Sequence, residues 1–168
     1  FRNRQAAMLY TGIDLTPIDR IRKSAENPRF TARVFSAEER AYFSSLSDPF
    51  PSMAAAFAAK EAFSKALGTG VRGFKLCEVS VSHTPLGAPF YAFSGNAARI
   101  VKERRLRFSL SLTHTDLVAA AFAAAEQLPV PAKATVGKAA LIERTCSLHG
   151  RTFRKNHSRR RNRRNRGL

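Results

Sequence analysis

The feature that most constrains the fold is an alanine-rich segment between Ser52 and Gly68. Four apolar residues recur there at three- and four-residue spacing: Ala56, Ala59, Phe63 and Ala66. This spacing predicts a long helix with one face buried in the core. Gly68 begins a Gly-Thr-Gly sequence that suits the left-handed backbone in which helices commonly end. The remainder of the fold must therefore pack around this helix.

The same helix carries an acid and a base, Glu61 and Lys65, four residues apart. Side chains at this spacing are neighbours on a helix, and a surface pair of this kind contributes only a few tenths of a kcal/mol. A second acid, Asp14, lies far upstream at the end of a predicted strand. Taken singly, each has an ordinary structural explanation, as does His114 in a predicted turn. Together they suggest a site that handles phosphate.

The flanking pattern alternates between helices and strands. A strand is predicted from Met8 to Asp14, followed by a short helix with Thr16 as its cap and Pro17 at its first position. Asn27-Pro28 is predicted to break that helix. The sequence from Ser36 to Glu39 matches a capping box and predicts a helix to about residue 46. Further strands are predicted over 76–83, 90–93 and 108–113, with a helix over 96–105.

The segment from Leu117 to Glu126 permits two structures. Its alanines favour a helix by intrinsic propensity, whereas its position after a strand and a Thr-Asp turn suits an antiparallel partner strand. We predict a strand. The expected fold class is therefore α+β, with a small antiparallel sheet packed on the long helix and shorter helices.

Composition divides the chain unevenly. Its 168 residues, 44% of them hydrophobic, suit one globular domain. The net charge is +17, but residues 129–168 contain 12 Lys and Arg against one acid. We predict an upstream remnant at 1–7, a folded domain at 8–128 and a basic, disordered C-terminal extension at 129–168.

Five short motifs occur in a defined order along the chain. They are Gly12-Ile13-Asp14-Leu15, Ile18-Asp19-Arg20-Ile21, Phe35-Ser36-Ala37-Glu38-Glu39, Phe57-Ala58-Ala59-Lys60-Glu61-Ala62 with Lys65 and Gly68, and Ser111-Leu112-Thr113-His114-Thr115. This ordered set closely resembles the holo-acyl-carrier-protein synthase family of 4′-phosphopantetheinyl transferases, from about Leu9 to Glu126. Thr113 departs from the serine that is common in the family, and the basic extension is absent from compact members.

The resemblance implies a single-copy 4′-phosphopantetheinyl transferase fold and a reaction of fatty-acid synthesis. The phosphopantetheine arm of coenzyme A would pass to a serine of an apo acyl carrier protein, with release of adenosine 3′,5′-bisphosphate. It also implies a homotrimer with sites at subunit interfaces, since only one copy of the motif set is present.

The residue types fit that chemistry independently. Mg²⁺ is usually held by one or two carboxylates plus substrate phosphates, which Asp14 and Glu61 on one side and coenzyme A on the other can supply. Lys65 can stabilise or protonate the departing phosphate, and either Glu61 or a metal-bound water can accept the serine proton. By match to the motif positions, Lys60 and His114 would contact coenzyme A.

Three cations on the first helix have two explanations. Arg20, Arg22 and Lys23 are either a solvated helix face or a docking surface for the acidic carrier protein. We favour docking for Arg20, which falls on a motif position, and leave both explanations open for the other two.

The partners and compartment follow from composition. The chain has two cysteines without metal-ligand spacing and no apolar run long enough for a bilayer, so we expect a cytoplasmic protein without membrane contact. The extension could bind nucleic acid through counterion release or attract carrier protein; we favour a dispensable or altered C-terminus.

The competing function is an inactive, enzyme-like fold that serves as a basic nucleic-acid-binding protein. The intact acid pair and Lys65 favour the enzyme.

Overall fold

The computed structural model describes residues 8–129. Five strands and five helices follow one another, with a short 3₁₀ turn at Leu76–Glu78. In chain order they are β1 (Leu9–Pro17), α1 (Ile18–Ala25), α2 (Pro28–Val34), α3 (Ala37–Ser44), α4 (Phe50–Leu67), β2 (Val79–His83), β3 (Pro89–Phe93), α5 (Gly95–Glu103), β4 (Leu106–His114) and β5 (Val118–Gln127).

The strands form two antiparallel sheets. The first has the order β1-β5-β4, and the second pairs β2 with β3. In the first sheet Asp14 lies opposite Ala121, which in turn lies opposite Leu112 on the far strand. Asp14, Ala121 and Leu112 therefore form one row across the sheet. Asp14 on β1 lies two strands away from the C-terminal half of β4.

Helix α4 packs closely on the first sheet because the contacting residues are small. The alternate alanines of β5 that are buried are Ala119, Ala121, Ala123 and Ala125. On β1, a Cβ at Gly12 would overlap the carbonyl oxygen of Ala62 and lie 2.7 Å from the amide nitrogen of Ala66. Only glycine permits the backbones to approach this closely, so Gly12 sets the distance between α4 and the strand that carries Asp14.

A second cluster of the core surrounds Phe63 on α4. Its ring centroid lies 4.9 to 5.7 Å from four other aromatic rings, those of Phe74, Tyr91, Phe93 and Phe108. Tyr91 also donates a hydrogen bond to the carbonyl oxygen of Ala59, at 2.7 Å. These contacts join α4 to both sheets.

Most of the predicted elements are confirmed. The four predicted core residues of the long helix are all buried, and Gly68 ends that helix with φ of 73°. Residues 118–127 form a strand, as chosen over the helix. The capping box between Ser36 and Glu39 is present. The α+β fold class is confirmed, with two sheets rather than one.

Two local predictions were wrong, those of the caps of α1 and α4. Thr16 belongs to β1 and does not cap α1; its hydroxyl donates instead to Asp14 at 3.0 Å. The predicted break at Asn27-Pro28 is confirmed, and the same two residues begin α2, because the Asn27 side chain accepts from the Arg29 amide and Pro28 occupies the first helical turn. Helix α4 starts at Phe50, earlier than the predicted Ser52 cap.

Within residues 8–129, no helix combines the length and the apolar character needed to cross a membrane. The predicted remnant at 1–7 and almost all of the predicted basic extension at 129–168 lie outside the described residues.

Candidate active site

Asp14 and Lys65 form an ion pair between β1 and α4. The Lys65 ammonium lies 2.9 Å from Asp14 Oδ1 and donates a second hydrogen bond to the carbonyl oxygen of Ile13, at 2.8 Å. The other carboxylate oxygen, Oδ2, accepts from the buried Thr16 hydroxyl. The Asp14 side chain is 17% exposed and that of Lys65 is 54% exposed. The pair therefore lies at the edge of the core, open to solvent on the lysine side.

Glu61 lies close enough to Asp14 for the two charges to interact. Partial burial raises the pKa of Glu61 above its ordinary value, and the negative charge of Asp14 raises it further. The positive charges of Lys65 and Arg20 act in the opposite direction and lower this pKa. Two carboxylates and two cations thus converge on one edge of α4: Asp14, Glu61, Lys65 and Arg20.

The cations of α1 point in different directions. Arg20 lies near Glu61 and its guanidinium is 6.0 Å from the centre of the Phe57 ring, one turn before Glu61. Arg22 lies over the Phe50 ring, at 4.2 Å, and pairs with Asp19 at 3.7 Å. Lys23 is exposed. Only Arg20 of the three acts on the carboxylate pair.

Lys60 lies in the core, away from this edge. Its side chain has no exposed surface, and its ammonium lies 2.8 Å from Glu39 Oε2. It also donates to the carbonyl oxygens of Leu76 and Val79. Burial lowers the pKa of Lys60, and the Glu39 carboxylate opposes that shift. Every donor of the ammonium is therefore used inside the protein.

His114 lies at the end of β4, and β5 separates that strand from Asp14 on β1. Two strand spacings correspond to roughly 10 Å. The imidazole lines a cavity of about 190 Å³ whose walls include Tyr42, Ser52, His83 and Thr113. Asp14, Glu61 and Lys65 do not line this cavity. Within one chain, His114 and Asp14 therefore lie two strands apart, and of the two only His114 lines this cavity.

Comparisons with known proteins identify the family of this chain. The model of the 4′-phosphopantetheinyl transferase superfamily matches residues 10–126. The chain belongs to this superfamily. The matched residues contain both the Asp14, Glu61 and Lys65 edge and the His114 cavity.

Related transferases cover the same part of the chain. The holo-[acyl-carrier-protein] synthase of Aromatoleum aromaticum is 41% identical over 119 residues, which are 69% of this chain and 95% of that protein. The crystal structure of the synthase from Neisseria meningitidis has a TM-score of 0.66 at 32% identity and covers 70% of this chain and 97% of its own. A structure from Bacillus anthracis, in complex with coenzyme A (3′,5′-ADP), has a TM-score of 0.63 at 28% identity, over 73% of this chain and 100% of its own.

One predicted role in this transferase needs correction. We expected Lys60 to contact coenzyme A, but a side chain with no exposed surface and with Glu39 as its partner cannot reach a bound substrate. The motif places Lys60 next to Glu61 in sequence, yet adjacent residues on a helix point about 100° apart. Lys60 faces the core and Glu61 faces the edge.

Two residues of the site were missed by the sequence interpretation. Thr16 holds Asp14 Oδ2, and Glu39 holds Lys60. Thr16 lies two residues after Asp14, so the alternation of a strand places both on the same face. A strand extended by three residues would have revealed this contact. No comparable signal in the sequence links Glu39 to Lys60, 21 positions away.

The donor set of the edge fits a magnesium ion. Two carboxylates supply the hard oxygen ligands that Mg²⁺ prefers, and this metal commonly takes its remaining ligands from water and substrate phosphates. No group of three or more His, Cys, Asp or Glu residues suited to a metal occurs among residues 8–129. Water and substrate phosphates would therefore supply the remaining ligands of an ion held by Asp14 and Glu61.

The raised pKa of Glu61 predicts that its ionised carboxylate lowers the free energy of unfolding at neutral pH. A raised pKa in the folded state means that folding favours the protonated acid, so this group stabilises the protein fully below its unfolded pKa and loses that contribution as pH rises through the folded value. Glu61→Gln should therefore increase the free energy of unfolding at pH 7 in metal-free buffer, and the gain should shrink in acid. Denaturant unfolding at several pH values measures this difference.

Glu103 provides the matched control, because it is exposed on α5 and pairs with Arg99. Glu103→Gln should give no gain at pH 7. A Glu61→Gln protein that is less stable than the wild type at pH 7 would contradict the assignment of Glu61 to a strained, like-charged pair.

Proposed function

We propose that this chain transfers the 4′-phosphopantetheine arm of coenzyme A to a serine of an apo acyl carrier protein. The observation that carries the proposal is the convergence of Asp14, Glu61 and Lys65 on one edge of α4 in a member of the phosphopantetheinyl transferase superfamily. The printed names of its relatives describe holo-[acyl-carrier-protein] synthases, and one of their structures contains coenzyme A (3′,5′-ADP).

We further propose that Mg²⁺ is the cofactor and that Asp14 and Glu61 hold it. When bound, the ion would neutralise the charge of the coenzyme A pyrophosphate and of the transferring phosphoryl group. Partial burial and the negative charge of Asp14 both raise the pKa of Glu61, and a cation held by these two carboxylates would offset both effects, which supports this assignment.

The protein's own residues account for the remaining steps. The carrier serine oxygen attacks the phosphorus that bears the pantetheine arm, and the bond to the bridging oxygen breaks to release adenosine 3′,5′-bisphosphate. Lys65 donates hydrogen bonds to the departing phosphate and stabilises its charge. Glu61 would accept the serine proton through its carboxylate.

The site is completed by a second copy of the chain, most simply in a homotrimer. His114 lies two strands from Asp14 and lines a cavity that neither carboxylate lines, and a second copy of the chain would bring another His114 towards the carboxylates. The outer face of β1 and β5 is apolar and exposed, with Ile13 60%, Leu15 66% and Phe122 44% accessible. An exposed apolar sheet face of this kind favours association, and Ile13 and Leu15 flank Asp14 directly.

Carrier recognition falls to α1, with Arg20 as its principal residue. Arg20 is exposed, carries a positive charge and lies beside Glu61. Arg22 and Lys23 add charge on the same helix. Opposite charges on two surfaces accelerate their encounter and fix their orientation, so these cations would steer an acidic carrier protein towards the transferring phosphate. We place the reaction in the cytoplasm, as a step of fatty-acid synthesis.

Transfer is measured directly by the mass of the carrier protein. The wild-type enzyme, incubated with coenzyme A, Mg²⁺ and apo carrier protein, should add one phosphopantetheine to the carrier. Asp14→Ala and Glu61→Ala should each reduce the rate by about 100-fold or more, because each removes a ligand that stabilises transition-state charge. Glu103→Ala, on the exposed face of α5, serves as the control and should keep the wild-type rate.

The absence of any mass gain with the wild-type enzyme, across several divalent metals, would contradict the proposed function. Full activity in Asp14→Ala or Glu61→Ala would contradict the metal assignment alone.

The proposed docking role of Arg20 predicts a change in KM for the carrier protein and not in KM for coenzyme A. Arg20→Ala should raise KM for the carrier protein about threefold to tenfold and weaken its dependence on salt, with little change in KM for coenzyme A. Arg99→Ala, an exposed arginine on α5, should leave KM for the carrier unchanged. An Arg20→Ala enzyme with wild-type affinity for the carrier would contradict this role.

A further inference from the structure

Each oxygen of the Asp14 carboxylate already accepts a hydrogen bond. Its Oδ1 accepts a hydrogen bond from Lys65 at 2.9 Å, and its Oδ2 accepts one from Thr16 at 3.0 Å. A metal ion that binds Asp14 must therefore share or replace one of these partners.

The two partners of Asp14 differ in how readily they can leave. Thr16 is 1% exposed and is fixed in the sheet opposite Ala119. The Lys65 side chain is 54% exposed and has a flexible aliphatic stem. Lys65 lies in the last turn of α4, one turn after Glu61. Asp14 therefore faces solvent where it contacts Lys65, and Lys65 is the partner that can move.

Charge also identifies Lys65 as the partner that leaves. The Lys65 ammonium is a cation in contact with the oxygen that a divalent cation would bind, and like charges at this separation repel. The hydroxyl of Thr16 is neutral, so it can remain on Oδ2 and hold the carboxylate in position.

We propose that Lys65 and the divalent metal ion compete for Asp14 Oδ1, so that metal binding releases the lysine for the substrate phosphate. This inference rests on the proposed function, since it assigns the metal and the phosphate to that site. In the ligand-free enzyme Lys65 donates to the Asp14 oxygen that the metal would bind. Once the metal binds, the freed ammonium turns towards the phosphate that leaves with adenosine.

Competition of this kind couples the metal to the phosphate. When a substrate phosphate binds the Lys65 ammonium, that ammonium leaves Asp14 and no longer competes with the metal for Oδ1. The metal should therefore bind weakly to the free enzyme and more tightly once coenzyme A is present. Such couplings between two sites are reciprocal, and their typical size is about fivefold or more.

The test is metal affinity without substrate, which does not depend on turnover. Mn²⁺ binding to the ligand-free enzyme is measured from the electron paramagnetic resonance signal of the free ion, and Mg²⁺ binding by competition with Mn²⁺. Lys65→Met should bind Mn²⁺ about fivefold or more tightly than the wild type, because it removes the competing cation but keeps both carboxylates. Lys102→Met, an exposed lysine on α5, should bind Mn²⁺ as the wild type does.

Unchanged or weaker Mn²⁺ affinity in Lys65→Met would overturn the competition, as would a failure of all three proteins to bind the ion. Transfer to carrier protein, assayed separately with the wild type, distinguishes the two levels of the account. An active wild-type enzyme with unchanged Lys65→Met affinity contradicts only the competition, whereas an inactive wild type contradicts the proposed function.

Discussion

The geometry of the site depends on the buried ion pair between Lys60 and Glu39. Burial of two charges is costly unless every remaining donor and acceptor is used. Here the Lys60 ammonium has three partners, and the Glu39 carboxylate also accepts from the backbone amides of Ser36 and Val81. The pair thereby joins α3, α4 and β2. It fixes the rotation of α4, and with it the direction in which the next residue, Glu61, points.

The small residues at the sheet complete this arrangement. Gly12 lets β1 approach the backbone of α4 more closely than any side chain would permit, two residues before Asp14. The ion pair therefore orients α4, and the glycine brings the strand of Asp14 against it. Neither residue contacts substrate in the proposed reaction, yet the meeting of Asp14 with Glu61 depends on both.

Sequence patterns predicted much of this because the relevant signals are local. The spacing of alanines around Phe63, the capping box at Ser36 and the glycine after Leu67 each act within a few residues, and each prediction was confirmed. Strand ends and long-range polar contacts were less predictable. A hydroxyl before proline suits a helix start and predicts Thr16 as a cap. In the structure Thr16 is instead buried in β1, where its hydroxyl donates to Asp14.

The error at Lys60 has a physical origin. A lysine beside a candidate metal ligand suggested a phosphate contact, and only the three-dimensional packing brings Glu39 from another helix to neutralise it. The same limit applies to His114. Its motif predicts a role at the substrate, whereas the fold of one chain separates it from Asp14 by a full strand. The proposed site shared between two chains would account for this separation.

Subunit complementation tests this central claim most directly. Asp14→Ala and His114→Ala chains, each impaired alone at low coenzyme A concentration, are co-expressed with different tags, and the mixed oligomers are isolated. Some of their interfaces combine an intact Asp14 from one chain with an intact His114 from another. The account predicts that phosphopantetheine transfer by the mixed oligomers exceeds that of either variant alone. Mixed oligomers no more active than the separate variants would contradict a site shared between chains.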